Sequence, residues 1–304
     1  MIKKTLKKII KKIKFSKNRP DLLFLEPTNL CNLNCPFCLV NVDKTYKTTA
    51  HDQMRRPFGY MDLVLFDKIL DDARDFGIKT IYLEFWGESF LHPQIGKMLE
   101  KTSRMKFKTS IFTNGLLLDS RRMGSIPDNV DRIIISIDGA SAETYEQNRI
   151  GGNFDRVWHN MVTLNQMCVG TKTNVIWQFV VMRNNEYEIE RARQLAKEHN
   201  LQLRLKTFNP SVAERVTSLK QYARKKPLKP CTSIYRQFAV LWNGDIVPCC
   251  QDPDGRNVLG NIKESSFGEI WNSEKYRIFR QKVKRAVICP EEEPLICKTC
   301  SAYQ

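Results

Sequence analysis

Between residues 21 and 208, short apolar, β-branched runs alternate with amphipathic helical stretches, and this alternation leaves few architectures open. The runs are 22–25, 80–85, 109–112, 132–137, 175–181 and 201–205; helical periodicity fills 62–76, 94–104, 116–123, 153–168 and 186–199. Six strands separated by helices predict parallel pairing through right-handed crossovers. A closed or partly closed α/β barrel and an open doubly wound sheet both satisfy that order.

Beyond residue 208 the alternation stops. Pro210, Pro227 and Pro230 punctuate a polar, basic stretch that reads as a linker over 211–230. The remainder, 231–304, is a small cysteine-rich unit with a hairpin over 238–247 turning at Asn243-Gly244 and an amphipathic helix over 267–284. At the other end, residues 1–19 hold eight lysines and one arginine with no acid, out of a net charge of +16. Ile2, Leu6, Ile9, Ile10 and Ile13 fall at helical spacing there, so 1–20 forms a basic amphipathic leader. A solvated tail and contact with an anionic membrane surface are both open to it, and nucleic acid is the less expected partner. No apolar run approaches the roughly 18 residues of a membrane span, and the leader lacks the apolar segment of a signal peptide. The expected location is cytoplasmic, with peripheral contact at the inner membrane surface as the leader's contribution.

Ten cysteines in such a compartment point to metal ligation or redox chemistry, because disulfides are disfavoured there. Cys168 stands alone on a predicted helix and reads as a small buried apolar residue. Cys31, Cys35 and Cys38 follow the first strand within eight residues, with no histidine nearer than His51. Structural zinc normally takes four ligands. Three thiolates instead satisfy three irons of a 4Fe–4S cube and leave the fourth open. The last quarter holds Cys231, Cys249, Cys250, Cys289, Cys297 and Cys300.

CX3CX2C with Phe37 before its last cysteine resembles the signature of the radical S-adenosylmethionine (SAM) superfamily. That resemblance implies that the open iron chelates SAM and that an electron from the cluster releases a 5′-deoxyadenosyl radical, which takes hydrogen from the substrate. It also implies an electron donor such as flavodoxin or ferredoxin. Trp86-Gly87-Glu88 looks like the family's Gly-Gly-Glu motif with its first glycine replaced. By the same resemblance Gly87 and Glu88 hold the SAM amino group, Asn114 of Thr113-Asn114-Gly115 lines the site, and Ser136 and Arg149 bind the ribose and carboxylate. An arginine fork suits a carboxylate. Each of these residues falls just past a strand's C-terminal end, where barrel enzymes assemble their sites. The resemblance therefore selects a partial (β/α)6 barrel.

The tail is similar to the auxiliary-cluster domain called SPASM, in its shortened Twitch form. The similarity implies one auxiliary 4Fe–4S cluster on Cys231, Cys249, Cys297 and Cys300. Cys250 or Cys289 can replace an assigned ligand, and a four-cysteine zinc site has the same spacing. A fully ligated auxiliary cluster suits electron acceptance, which implies dehydrogenation of a small hydroxylated or sugar-like molecule. Radical modification of a ribosomal peptide is the alternative within the family, and a non-catalytic metal-binding module is the alternative outside it. The sequence assigns no catalytic base; Arg204 and Lys206 at the sixth strand's end are candidates to face the barrel mouth.

Overall fold

The computed structural model describes residues 20–38, 54, 56–207, 217–222, 231–285 and 297. The leader, most of the linker, His51, Cys289 and Cys300 lie outside these residues. Six strands form one parallel run: β1 (Leu22–Leu25), β2 (Thr80–Leu83), β3 (Lys108–Thr113), β4 (Arg132–Ser136), β5 (Asn174–Val181) and β6 (Gln202–Thr207). Between them lie α1 (Leu63–Phe76), α2 (Ile95–Arg104), α3 (Ser120–Gly124), α4 (Ala142–Asn148), α5 (Phe154–Met167) and α6 (Ile189–Glu198). Each strand pairs in parallel with the next in sequence, which is the order of a partial barrel rather than of a doubly wound sheet.

Alternation sets the two faces. Leu23, Leu25, Ile81, Leu83, Ile111, Ile133, Ile135, Trp177 and Phe179 pack into the main core under the helices. Their neighbours Phe24, Tyr82, Phe112, Ile134 and Gln178 therefore face the lumen. Local signals end α1 close to where the periodicity does, whereas α3 starts four residues later than expected and α4 was not expected. Asp62 caps α1 by accepting from the Leu65 amide at 2.8 Å, and Gly77 closes it at a left-handed φ of 93°. Cys168 terminates α5 and is buried.

The cysteine-rich end continues the same sheet. Strand β7 (Gln237–Val240) pairs parallel to β1, and β8 (Asp245–Val247) and β9 (Gly260–Asn261) add antiparallel ribs beyond it. The sheet order is thus β6-β5-β4-β3-β2-β1-β7-β8-β9. The hairpin turns at Asn243-Gly244 as the sequence suggests, with Gly244 at φ 94°. The helix expected over 267–284 is two helices, α7 (Phe267–Asn272) and α8 (Glu274–Arg285). Ser273 adopts an extended ψ of 153° and its hydroxyl accepts from the Tyr276 amide at 3.2 Å, so it ends one helix and starts the other. Among the described residues no helix is long and apolar enough to cross a membrane.

Phe238 of β7 joins the two parts. Its ring stacks on Phe267 at 5.2 Å, meets Trp271 edge-on at 4.9 Å and lies 6.2 Å from Phe76 of α1. Phe238→Ala should cost about 3–5 kcal/mol, as other buried aromatic truncations do. Denaturant titration checks this, and the loss should appear in the same transition as the barrel's.

Candidate active site

Glu26 follows β1, and the loop carrying Cys31, Cys35 and Cys38 is held by backbone bonds. The Glu88 amide donates to the Leu30 carbonyl at 2.7 Å, Asn34 to Ile150 at 2.9 Å, and Cys38 to Cys35 at 3.0 Å. Gly87 is required here. A Cβ on it would lie 2.3 Å from the Thr28 oxygen and 2.9 Å from the Asn29 Cα, and its φ of 151° also disfavours a side chain. Cys35 is buried, while Cys31 and Cys38 are half-buried. Burial pushes the Cys31 thiol up, and Cys38 and Glu88 add to the shift. Burial pushes Cys35 to about 12, with the Arg149 guanidinium pulling it back and Cys38 raising it again.

Among the described residues, no three His, Cys, Asp or Glu side chains converge as ligands of one ion. A cubane cluster asks for something else, one thiolate on each of three irons. One buried and two half-buried thiols within electrostatic reach of one another need compensating positive charge to ionise together, which bound iron would supply. The donor set therefore fits a polynuclear iron group.

Glu88 is buried and its carboxylate ties two strand ends together. Oε1 accepts from the Thr113 hydroxyl at 2.7 Å and the Phe90 amide at 3.0 Å; Oε2 accepts from the Asn114 amide at 2.7 Å. Burial raises this carboxyl, and the Asn114 and Phe90 amides and the Thr113 hydroxyl oppose it. Asn114 in turn donates from Nδ2 to the Asn32 side chain of the cysteine loop at 2.8 Å. Ser136 ends β4, within 3.4 Å of the Gln178 amide nitrogen.

Arg149 closes the other side. Its guanidinium pairs with Asp138, with Nη2 at 2.6 Å and Nε at 2.8 Å from the same oxygen. Its Nη1 points at the Cys35 sulfur at 4.0 Å, and its Cζ lies 5.4 Å from the Phe37 ring centroid. Burial alone would lower the Arg149 pKa, but the Asp138 carboxylate and Cys35 raise it. The cation is thus fixed against the cysteine loop.

In the tail, Cys231, Cys249 and Cys250 are half-buried and Cys297 is buried. Cys249 and Cys231 both act on the buried Tyr276 hydroxyl, which burial pushes up, so the two thiols lie around one tyrosine. Trp86, standing where the first motif glycine was expected, donates from its indole nitrogen to the Cys250 carbonyl at 2.8 Å. The substitution thereby connects the β2 loop to the tail.

Two groups escaped sequence reasoning. Arg56 grips Glu26 with both ends of its fork and donates to the Pro253 carbonyl. Its signal was absent because its partners are distant in the chain. Glu84 extends β2 on the lumen face, and burial pushes its carboxyl up to about 7, with Lys206 and then Arg204 opposing. Strand periodicity at β2 was the one signal that would have found it.

Gly87→Ala should force the cysteine loop away from the β2 loop; iron content after anaerobic reconstitution should fall well below the parent chain's. For Glu84, folding raises the carboxyl from 4.5 to about 7, so in that window the folded chain keeps a proton the unfolded chain has lost. This contribution is present below the window and is lost as pH rises through it. Thermal melts at about pH 5 and about pH 8 should show a smaller loss of stability in Glu84→Gln than in the parent.

Family models match nearly the whole described chain: the radical SAM superfamily over residues 25–195 and the SPASM iron–sulfur cluster-binding domain over 231–301. The chain is 26% identical over 305 aligned positions to the tungsten-containing aldehyde ferredoxin oxidoreductase cofactor-modifying protein of Pyrococcus furiosus, covering 85% of this chain and 82% of that one. It is 20% identical over 289 positions to the S-adenosyl-L-methionine-dependent 2-deoxy-scyllo-inosamine dehydrogenase of Niallia circulans, covering 92% of each. The fold is similar to that of Streptococcus suis SuiB bound to precursor peptide SuiA, with TM-score 0.70, 16% identity, and coverage of 99% of this chain and 75% of SuiB. With a partial barrel, a three-cysteine loop and a cysteine-bearing tail, the chain belongs to the radical SAM superfamily and carries a C-terminal SPASM domain, so that it works with a 4Fe–4S cluster, S-adenosylmethionine and an auxiliary cluster.

Proposed function

We propose that the chain is a radical SAM dehydrogenase that removes two electrons and two hydrogens from a hydroxylated small molecule. The hydrogen bond from Trp86 to the Cys250 carbonyl carries this reading, because it ties the segment bearing Cys249 and Cys250 to the loop after β2. An electron acceptor in that position suits oxidation better than radical generation alone. When bound, the cluster on Cys31, Cys35 and Cys38 supplies the electron that cleaves SAM. Cys231, Cys249, Cys297 and Cys300 are the proposed ligands of the auxiliary cluster.

The polypeptide's part is to hold SAM at the mouth. Glu88 retains one lone-pair direction on Oε2 after its three protein donors, enough for one ammonium hydrogen. Gly87 presents backbone against the cysteine loop without a side chain in the way. Arg149, oriented by Asp138, offers its remaining edge to the SAM carboxylate, and Ser136 offers a hydroxyl to the ribose. Asn114 and Phe37 complete the wall between SAM and the core. The similarity to a dehydrogenase over nine-tenths of both chains supports the same reading.

Anaerobically reconstituted chain should hold about eight irons, and Cys35→Ala about four, with no 5′-deoxyadenosine formed on reduction with SAM. Cys249→Ala should also lose about four irons yet still release 5′-deoxyadenosine. Substrate class can be read by deuterium. With fractions of extract from deuterium-grown cells, label should enter 5′-deoxyadenosine from the small-molecule fraction. Label arriving from the peptide fraction alone would replace this reading with peptide modification, the activity suggested by the resemblance to the peptide-bound SuiB fold.

A further inference from the structure

The lumen face carries charged and polar groups that the protein leaves unsatisfied. At the C-terminal end of the sheet, Ser136 pairs with Gln178, Gln178 with Arg204, and Val180 with Lys206. Leu203 and Leu205 pack on the helix-covered core, so Arg204 and Lys206 face the opposite way, into the lumen. Glu84 meets both of them electrostatically although three strands separate β2 from β6, so the sheet curves enough to bring its edge opposite β2.

None of the Glu84, Arg204 and Lys206 side chains makes a hydrogen bond or a close ion pair among the described residues. Gln178 is only 5% exposed, and its Oε1 has no donor. Neighbouring charges are by contrast taken: Glu26 by Arg56, Asp138 by Arg149, and Arg132 by Ser110 and the Tyr82 hydroxyl. A buried acceptor without a donor is costly in a finished fold, and its natural complement is a ligand hydroxyl. Two cations against one acid that burial holds near half-charge give this end of the lumen a positive balance.

We propose that the barrel mouth binds a phosphorylated, hydroxylated small molecule, its phosphate held by Arg204 and Lys206 and its hydroxyls by Gln178 and Glu84. The arginine fork and the lysine point charge are complementary ways of holding phosphate oxygens. Arg204 is exposed and Lys206 half-buried on the edge strand, so the phosphate sits towards solvent and the hydroxyls reach inward. This rests on the reading of the chain as an enzyme of small hydroxylated substrates and names their class.

Inorganic phosphate is the probe. In the reconstituted and reduced full chain loaded with S-adenosylhomocysteine, which takes SAM's place without being cleaved and so leaves the electron on the cluster, that unpaired electron speeds the phosphorus NMR relaxation of phosphate held in the lumen. The parent should show saturable enhancement, Arg204→Gln/Lys206→Gln should bind phosphate at least about tenfold more weakly, and Glu84→Gln should bind it more tightly because a repelling carboxylate is gone. Each single variant should fall between parent and double variant, which keeps the test open if the double variant loses its cluster signal. No enhancement in the parent, or equal affinity in parent and basic-site variants, overturns the subsite. A peptide-modifying enzyme would pass the SAM-cleavage assay and fail this one, so the two readings fail separately.

Discussion

The structure is organised around the ion pair between Glu26 and Arg56. Glu26 follows the strand that has the barrel on one side and the tail hairpin on the other, and its side chain has no exposure. Burial pushes its carboxyl up, while Arg56 and the Trp242 amide hold it down. Through the same guanidinium, the loop before α1 reaches the Pro253 carbonyl, and the Arg56 amide reaches the Asp254 carboxylate at 3.2 Å. A buried carboxylate stripped of such a partner costs several kcal/mol, so the three segments are held in one arrangement or pay for it. The cysteine loop begins at the next residue and inherits that arrangement.

From that anchor a chain of buried hydrogen bonds runs along the strand ends. The Glu88 carboxylate joins β2 to β3, Asn114 joins β3 to the cysteine loop, and the Asp138–Arg149 pair joins β4 to Cys35. Nearly all of these groups act on another protein group as well as facing the site. Residues read from the sequence as SAM contacts are therefore also fasteners between the strand ends and the cysteine loop. Preorganisation of this kind spares the reaction the cost of arranging its own surroundings.

The alternation of six strands with helices was legible because both periodicities are local; it left barrel and open sheet both standing, and the motif resemblance chose the barrel that the sheet order shows. The cysteine loop was singled out by its spacing, and Gly87, Glu88 and Arg149 by motif resemblance supported by their positions after strands. What stayed hidden was non-local. Parallel pairing of β7 with β1 has no signature in either segment, since both are short apolar runs. Arg56 looked like any surface cation, and Trp86 looked like a departure from a motif until the Cys250 carbonyl appeared opposite its indole. The break at Ser273 was missed because the apolar spacing of 267–284 continues across it.

The pairing of β7 with β1 bears on how the chain is made. β1 is the first of the described strands to be synthesised, while β7 comes after the whole barrel; the Glu26–Trp242 contact beside them spans 216 residues. Until then one edge of β1 is a row of unmet amides and carbonyls, of the kind that recruits strands from other chains. Synthesis of the cysteine loop and closure of the adjacent edge are thus separated by the making of the whole barrel. That interval is when a nascent chain of this design is most exposed to misassembly.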